Sequence, residues 1–220
     1  MNSRGINKDF TGARVDVLAV AVFKDDNTKK GVLKTLDALT DGQISSVLAS
    51  GEFKGEGGES LLLRYKAEKG KAGRVLLLGA GEAGKYKVSD VSAVAGSAAR
   101  KVRDLNLKTF ALDPRSGEGA ADVAACAMQG VITSQFELDK YKTKDKIDKA
   151  VTGFTIFIDG AKPAELKSGL EKGEILGDSM NFTRDLANEP PNILTPTEMA
   201  NRTRKMAREV GMKCEILSES

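Results

Sequence analysis

Arg184-Asp185-Leu186-Ala187-Asn188-Glu189-Pro190-Pro191-Asn192-Ile193-Leu194-Thr195-Pro196 divides the chain into two parts. Asn188 reads as a helix terminator, because asparagine tolerates a left-handed backbone better than most residues. Pro190 and Pro191 forbid the helix to continue, and each drives the residue before it toward an extended conformation. Thr195-Pro196-Thr197-Glu198 reads as a capping box, with Thr195 at N-cap, Pro196 at N1 and Glu198 at N3. The new helix carries Met199, Met206 and Val210 and stops at Gly211. Lys213 to Leu217 then reads as the start of a strand. The expected course is a long helix, a rigid extended elbow, a capped helix and a strand.

The helix entering this elbow runs from about Pro163 to Leu186, with Leu166, Leu170, Leu176 and Met180 as its apolar stripe. Some 24 residues at ~1.5 Å each make a rod of roughly 36 Å, long enough to link two domains. Before it, strand and helix patterns alternate. Ala13 to Phe23 is a nearly continuous Val/Ala run that suits a central strand covered on both faces. Asp25-Asp26-Asn27 is a turn. Leu36 to Leu48 has helical spacing, weakened by Gly42. Gly51 to Gly58 is a glycine-rich loop. Ser60 to Tyr65 and Arg74 to Leu78 read as a hairpin-like strand pair. Val88 to Leu105 is a helix with Val91, Val94, Ala98 and Val102 on one stripe. Lys108 to Leu112 is a strand. Gly119 to Phe136 is a helix facing inward with Ala120, Val123, Ala127 and Val131, and Val151 to Ile158 is a further strand. The predicted class is α/β, a mixed sheet with helices on both faces, followed by a long linker helix and a fragment of a second α/β domain. The expected boundaries are 1–159 for the first domain, 160–189 for the linker and 190–220 for the entry to the second.

Composition narrows the chemistry. The chain has 220 residues, 40% of them hydrophobic, which is enough for a packed core rather than disorder. It contains no histidine, which excludes Ser-His-Asp or Cys-His nucleophiles, His-ligated zinc and a histidine base within these residues. Cys126 and Cys214 lack CxxC spacing and read as buried free thiols. The net charge of +3 is small, and Lys140, Lys142, Lys144, Lys146 and Lys149 alternate with Asp139, Asp145 and Asp148. That pattern is a solvated face and does not demand a DNA partner. Met1 to Phe10 shows no secretory signal and no run approaches ~20 apolar residues, so the expectation is a cytoplasmic protein without a membrane contact.

Gly79-Ala80-Gly81-Glu82-Ala83-Gly84 fits GxGxxG after a strand, the fingerprint that places a pyrophosphate on a helix N-terminus. The next helix begins too late, near Ser89, and Lys85-Tyr86-Lys87 intervenes. The acid that would hold a ribose, Asp113, lies 29 residues beyond Gly84 (113 − 84) rather than the usual ~20 from the motif. The reading adopted is a βα loop; an NAD-dependent enzyme is the rival.

Arg184, Leu186, Asn188, Pro190, Asn192, Thr195 and Pro196, at these spacings, resemble the segment leading into the catalytic domain of the leucyl aminopeptidases. Arg74 to Gly79, Gly117-Glu118-Gly119-Ala120 and Phe136 to Lys142 agree less specifically. The resemblance implies an N-terminal domain similar to the macro domains, a linker helix and a C-terminal domain in which Lys, Asp and Glu side chains hold two divalent metals, Mn or Zn. There a metal-bound water attacks the peptide bond. It also implies peptide substrates, a homo-hexamer, and a role for this region in assembly and in access to the active site. Asp-Ser-Gly-Gly and Asn-Thr-Asp-Ala-Glu-Gly stretches do not occur here, so no catalytic, metal or cofactor residue is carried onto this chain, which reads as truncated and inactive alone. The site residues retained are the structural elbow: Arg184, Asn188, Pro190, Asn192, Thr195 and Pro196. The alternative is a stand-alone macro-like module that binds a nucleotide such as ADP-ribose, or DNA.

Overall fold

The computed structural model describes residues 1–116, 119–137, 141–144 and 149–217. The chain forms two compact units, Met1–Asp178 and Ser179–Ser220.

The first unit is built on a six-stranded sheet: β1 (Asn2–Ile6), β2 (Val17–Phe23), β3 (Ser60–Arg64), β4 (Arg74–Gly81), β5 (Thr109–Asp113) and β6 (Gly153–Phe157). The spatial order is β1-β6-β5-β2-β4-β3. All neighbours are parallel except β3, which lies antiparallel on β4 with Leu61 opposite Leu77 and Leu63 opposite Val75. The mixed sheet expected from the sequence is therefore present. Every residue of β2 is buried, because side chains alternate across the sheet and both faces are covered. Val17, Ala19 and Ala21 face one core, with α3 (Asp90–Asp104), α4 (Ala120–Ser134) and Leu166 and Leu170 of α5 (Pro163–Ala187). Leu18, Val20 and Val22 face the other, with α1 (Gly31–Leu39) and α2 (Gln43–Ser50). Removing these side chains from water drives the fold, at about 1.5–3 kcal/mol for each large one.

Three expectations need correction here. The helix expected from Leu36 to Leu48 is two helices. Thr40 ends α1, and Asp41 and Gly42 both take left-handed backbone (φ 51° and 79°) before α2 begins. The periodic reading bridged the break because Leu36 and Ile44 on either side are both fully buried. β1 was missed: among the described residues it is an edge strand paired with β6 alone and half exposed, so its polar residues carry no apolar signal. The buried face of α5 keeps Leu166 and Leu170 of the expected apolar stripe but not Leu176 and Met180. It is Leu166, Gly169, Leu170, Gly173 and Gly177, while Leu176 and Met180 are exposed. A Cβ at Gly169, Gly173 or Gly177 would meet the backbone or side chains of α4, so glycine sets how closely these helices approach.

Cys126 is half-buried and Cys214 exposed, both as free thiols, so the buried reading fails at Cys214. Asp139, Lys140, Asp145, Lys146 and Asp148 of the alternating charge run lie outside the described residues, as do Gly117 and Glu118. No helix among the described residues is long and apolar enough to cross a membrane.

Candidate functional site

The glycine-rich segment is committed to packing. Gly79 and Gly81 lie inside β4, and α3 starts only at Asp90. The Gly79 amide donates to the Glu59 carbonyl (2.9 Å) and the Gly81 amide to the Gly55 carbonyl (2.8 Å). Those amides are the donors a phosphate would need. A side chain at position 79 would run into the Glu56 carbonyl, so Gly79 lets the 55–59 loop cross the strand. Behind this loop a cavity of about 300 Å³ is lined by Leu78, Val94 and Tyr86. The Tyr86 phenol oxygen is buried and has no hydrogen-bond partner among the described residues. Burial, then the charges of Asp90 and Asp113, push its pKa upward.

A concavity of about 810 Å³ opens at the carboxyl ends of β5 and β6. Open α/β sheets bind ligands at this edge. Its floor is aromatic: Phe10 and Phe157 pack with ring centroids 5.5 Å apart. Its carboxylates come from separate segments: Asp9 before β2, Asp113 at the end of β5, Asp159 after β6 and Glu165 in the first turn of α5. Asp9 has left-handed backbone (φ 49°), and its Oδ1 accepts from the Gly12 amide (3.0 Å) and the Thr11 hydroxyl (3.3 Å).

Asp113 is only 7% exposed. Its Oδ1 accepts from the Arg115 amide at 2.9 Å. Burial pushes its pKa up to about 6; the Arg115 amide and guanidinium oppose this, and the Asp159 charge adds to it. The Arg115 guanidinium is itself engaged. It pairs with Asp26, donates to the Ala21 carbonyl (3.2 Å) and sits 5.0 Å from the centre of the Phe23 ring. A nucleoside diphosphate entering here would face four carboxylates, of which Glu165 is paired with Lys162 at 3.8 Å, and a lining cation, Arg115, already neutralised by Asp26, so the cleft does not favour an anionic nucleotide.

At the opposite end of the sheet, burial works against ionised Asp16. The Lys108 and Thr109 amides and the Thr109 hydroxyl nevertheless hold its carboxyl below the usual range. These bonds tie the start of β2 to β5.

The expected elbow lies in the second unit, and its geometry differs from the extended reading. Asn188 does end the helix, but without left-handed backbone. Its amide (3.0 Å) and its side-chain Nδ2 (2.7 Å) both donate to the Arg184 carbonyl. Pro190 starts a turn: its carbonyl accepts from the Ile193 and Leu194 amides, both at 2.9 Å. Pro191 stands at the second position of that turn, where a fixed φ favours closure, and Asn192 stands at the third. Thr195 caps α6 (Pro196–Glu209), accepting from the Glu198 amide at 3.3 Å, with Pro196 at the first helical position.

The capping box is only half formed. The Glu198 carboxylate accepts instead from Arg202 Nε (2.7 Å), and Arg202 also reaches the buried carboxylate of Glu189 (2.6 Å). The helix closes with the Gly211 amide on Arg208 and the Met212 amide on Ala207, the crossed bonds of a Schellman end. Its expected apolar stripe is largely exposed at Met199 and Val210; Ala207 is the buried residue. Residues 213–217 form no strand, since no ladder partner lies beside them among the described residues.

Among the described residues, no three His, Cys, Asp or Glu side chains are placed to hold a metal. The residues present do not fit a two-metal centre, and none is assigned to one.

Residues 19–145 match the profile of the cytosol aminopeptidase family, N-terminal domain. A probable cytosol aminopeptidase of Solibacter usitatus is 40% identical over 171 residues, covering 78% of this chain and 35% of that protein. A tomato leucine aminopeptidase mutant superposes with a TM-score of 0.82 at 22% identity, over 96% of this chain and 43% of that one. The bottromycin maturation enzyme BotP, solved in complex with Mn, gives 0.69 at 22% identity, over 94% and 39%. The chain thus spans less than half the length of each of these proteins.

Proposed function

Because this chain belongs to the cytosol aminopeptidase family, we propose that it is the N-terminal part of a metal-dependent leucyl aminopeptidase that hydrolyses N-terminal residues from peptides. Residues 1–159 form the N-terminal domain, 160–189 the linker, and 190–220 the entry to the catalytic domain. Arg184, Asn188, Pro190, Asn192, Thr195 and Pro196 form the structural elbow between the linker and that entry. The two divalent metals, Mn or Zn, and the groups that activate water belong to sequence outside these residues. The parent works in the cytoplasm as a homo-hexamer, and this region serves assembly and access to the active site.

The observation that carries this reading is the family match over residues 19–145, joined to a likeness in fold that extends over 96% of the chain. The Mn in the related maturation enzyme supports the choice of metal. The test is a peptidase assay on the purified 220-residue chain, using leucine p-nitroanilide with added Mn²⁺ or Zn²⁺. No turnover is expected. Robust turnover, with longer protein absent by intact mass, would refute this placement of the chemistry.

A further inference from the structure

We infer that the cavity between the 55–59 loop, β4 and α3 binds a small uncharged carbonyl compound, its apolar body against Leu78, Ala80 and Val94 and its oxygen on the Tyr86 hydroxyl.

The Tyr86 phenol oxygen carries this inference. It is buried and has no hydrogen-bond partner among the described residues. A desolvated hydroxyl without a partner is costly, and a ligand that supplies the partner recovers that cost. The ring packs edge-on against Phe23, with centroids 5.2 Å apart, which holds the hydroxyl in place. Burial, then the charges of Asp90 and Asp113, push its pKa upward, so the group stays protonated and donates. What it lacks is an acceptor.

The other polar side chains on the cavity wall are engaged within the protein. Glu59 Oε2 accepts from the Lys54 and Glu56 amides (2.9 and 3.0 Å), Asp90 Oδ2 from the Lys87 amide (2.8 Å) and Ser97 Oγ from Arg100 (3.2 Å). No Lys or Arg lines the cavity among the described residues. A carboxylate or phosphate would therefore meet two acidic side chains and no cation, which rules against an anion. Both acids already accept from backbone amides and make no demand for a cation. A carbonyl oxygen gives the phenol its acceptor without bringing a charge to an apolar wall.

The walls set the size. Leu78, Ala80 and Val94 supply apolar surface, and Gly57, Gly58 and Gly79 line the rest without side chains. A Cβ at Gly57 or Gly58 would meet nothing within 4 Å, so the loop leaves this space open. At about 300 Å³ the cavity stands at the lower end of small-molecule sites, which suits a single ring with its carbonyl and not a dinucleotide.

The test is titration of the isotope-labelled 220-residue chain with benzamide, followed by amide chemical shifts. Saturable shifts centred on Gly57, Gly79 and Val94 are expected. Tyr86→Phe removes the hydroxyl and keeps the ring, and should weaken binding about fivefold or more. Ala93→Phe, at an exposed position on the cavity wall, should block entry while leaving the Tyr86 hydroxyl in place, and guards against a folding defect in the first variant. Tyr65→Phe, outside the cavity, should leave the affinity unchanged. Absence of saturable shifts at millimolar benzamide overturns the proposal. So does an affinity equal to that of the parent chain in Tyr86→Phe or in Ala93→Phe. Tighter binding of benzylamine or benzoate than of benzamide also overturns it, because a charge rather than a carbonyl would then set the affinity.

Discussion

Gly173 on α5 lies so close to Met128 on α4 that a Cβ at position 173 would stand 2.7 Å from the Met128 Cβ. The Ala125 carbonyl lies against the same point. Two effects oppose each other in Gly173→Ala. Alanine gains about 1 kcal/mol of helix propensity. Overpacking against a backbone carbonyl costs about 1–3 kcal/mol, and the helix cannot rotate away because Gly169 and Gly177 are seated in the same way. The expected net result is destabilisation, deeper for Gly173→Val. Urea unfolding should give a lower midpoint in both; a rise in either would show that the helices separate at little cost.

Asp113 makes stability depend on pH in a defined window. Its folded pKa of about 6 lies above the ordinary 3.8. Below 3.8 the carboxyl is protonated in both states. Between 3.8 and about 6 the unfolded chain releases the proton while the folded chain holds it, so stability falls as pH rises. The loss reaches about 3 kcal/mol and is complete above the folded value. Asp16 acts with the opposite sign: its lowered pKa gives stability that disappears as the pH falls below 3.8. Asp113→Asn keeps an acceptor for the Arg115 amide and should raise the Tm at neutral pH, with little change near pH 4. A neutral-pH Tm below that of the parent chain would contradict this account.

Gly79→Ala should displace the 55–59 loop rather than abolish a cofactor site. The added methyl meets the Glu56 carbonyl, and the Gly79–Glu59 and Gly81–Gly55 hydrogen bonds break with the shift. Amide exchange at Gly79 and Gly81 should quicken in the variant. NAD at millimolar concentration should leave the spectrum of the parent chain unchanged; shifts at residues 79–84 would restore the dinucleotide reading.

Much of the sheet was legible because its central strand is buried on both faces. The unbroken run from Val17 to Phe23 follows directly from cores on either side. β1 was not legible, since an edge strand needs backbone pairing rather than apolar side chains. The close face of α5 was hidden for a related reason: Gly169, Gly173 and Gly177 add nothing to a hydrophobic pattern, yet they decide the packing. The elbow residues announced a helix stop and a helix start. They did not announce that the Pro190 carbonyl would close a turn between them. The acidic cleft was invisible, because Asp9, Asp113, Asp159 and Glu165 come from four distant segments and each reads alone as a turn or helix-start residue.

Across the elbow, Arg202 joins Glu198 on its own helix to Glu189 ahead of the turn. The Glu189 side chain is 1% exposed, and this guanidinium is one of its charged partners. The two glutamates in turn hold the arginine firmly in its charged form. Arg202→Met should therefore take a charged partner from the buried Glu189 carboxylate, break the link between α6 and the segment ahead of the turn, and loosen the turn. Thr195→Ala removes the cap on the Glu198 amide and should cost about 1 kcal/mol of helix stability. The two changes differ in reach. Thr195→Ala should speed amide exchange only in the first turn of α6, whereas Arg202→Met should also expose the Ile193 and Leu194 amides bonded to Pro190. Hydrogen exchange read residue by residue distinguishes them. Unchanged protection at Ile193 and Leu194 in Arg202→Met would mean that the prolines alone hold the turn.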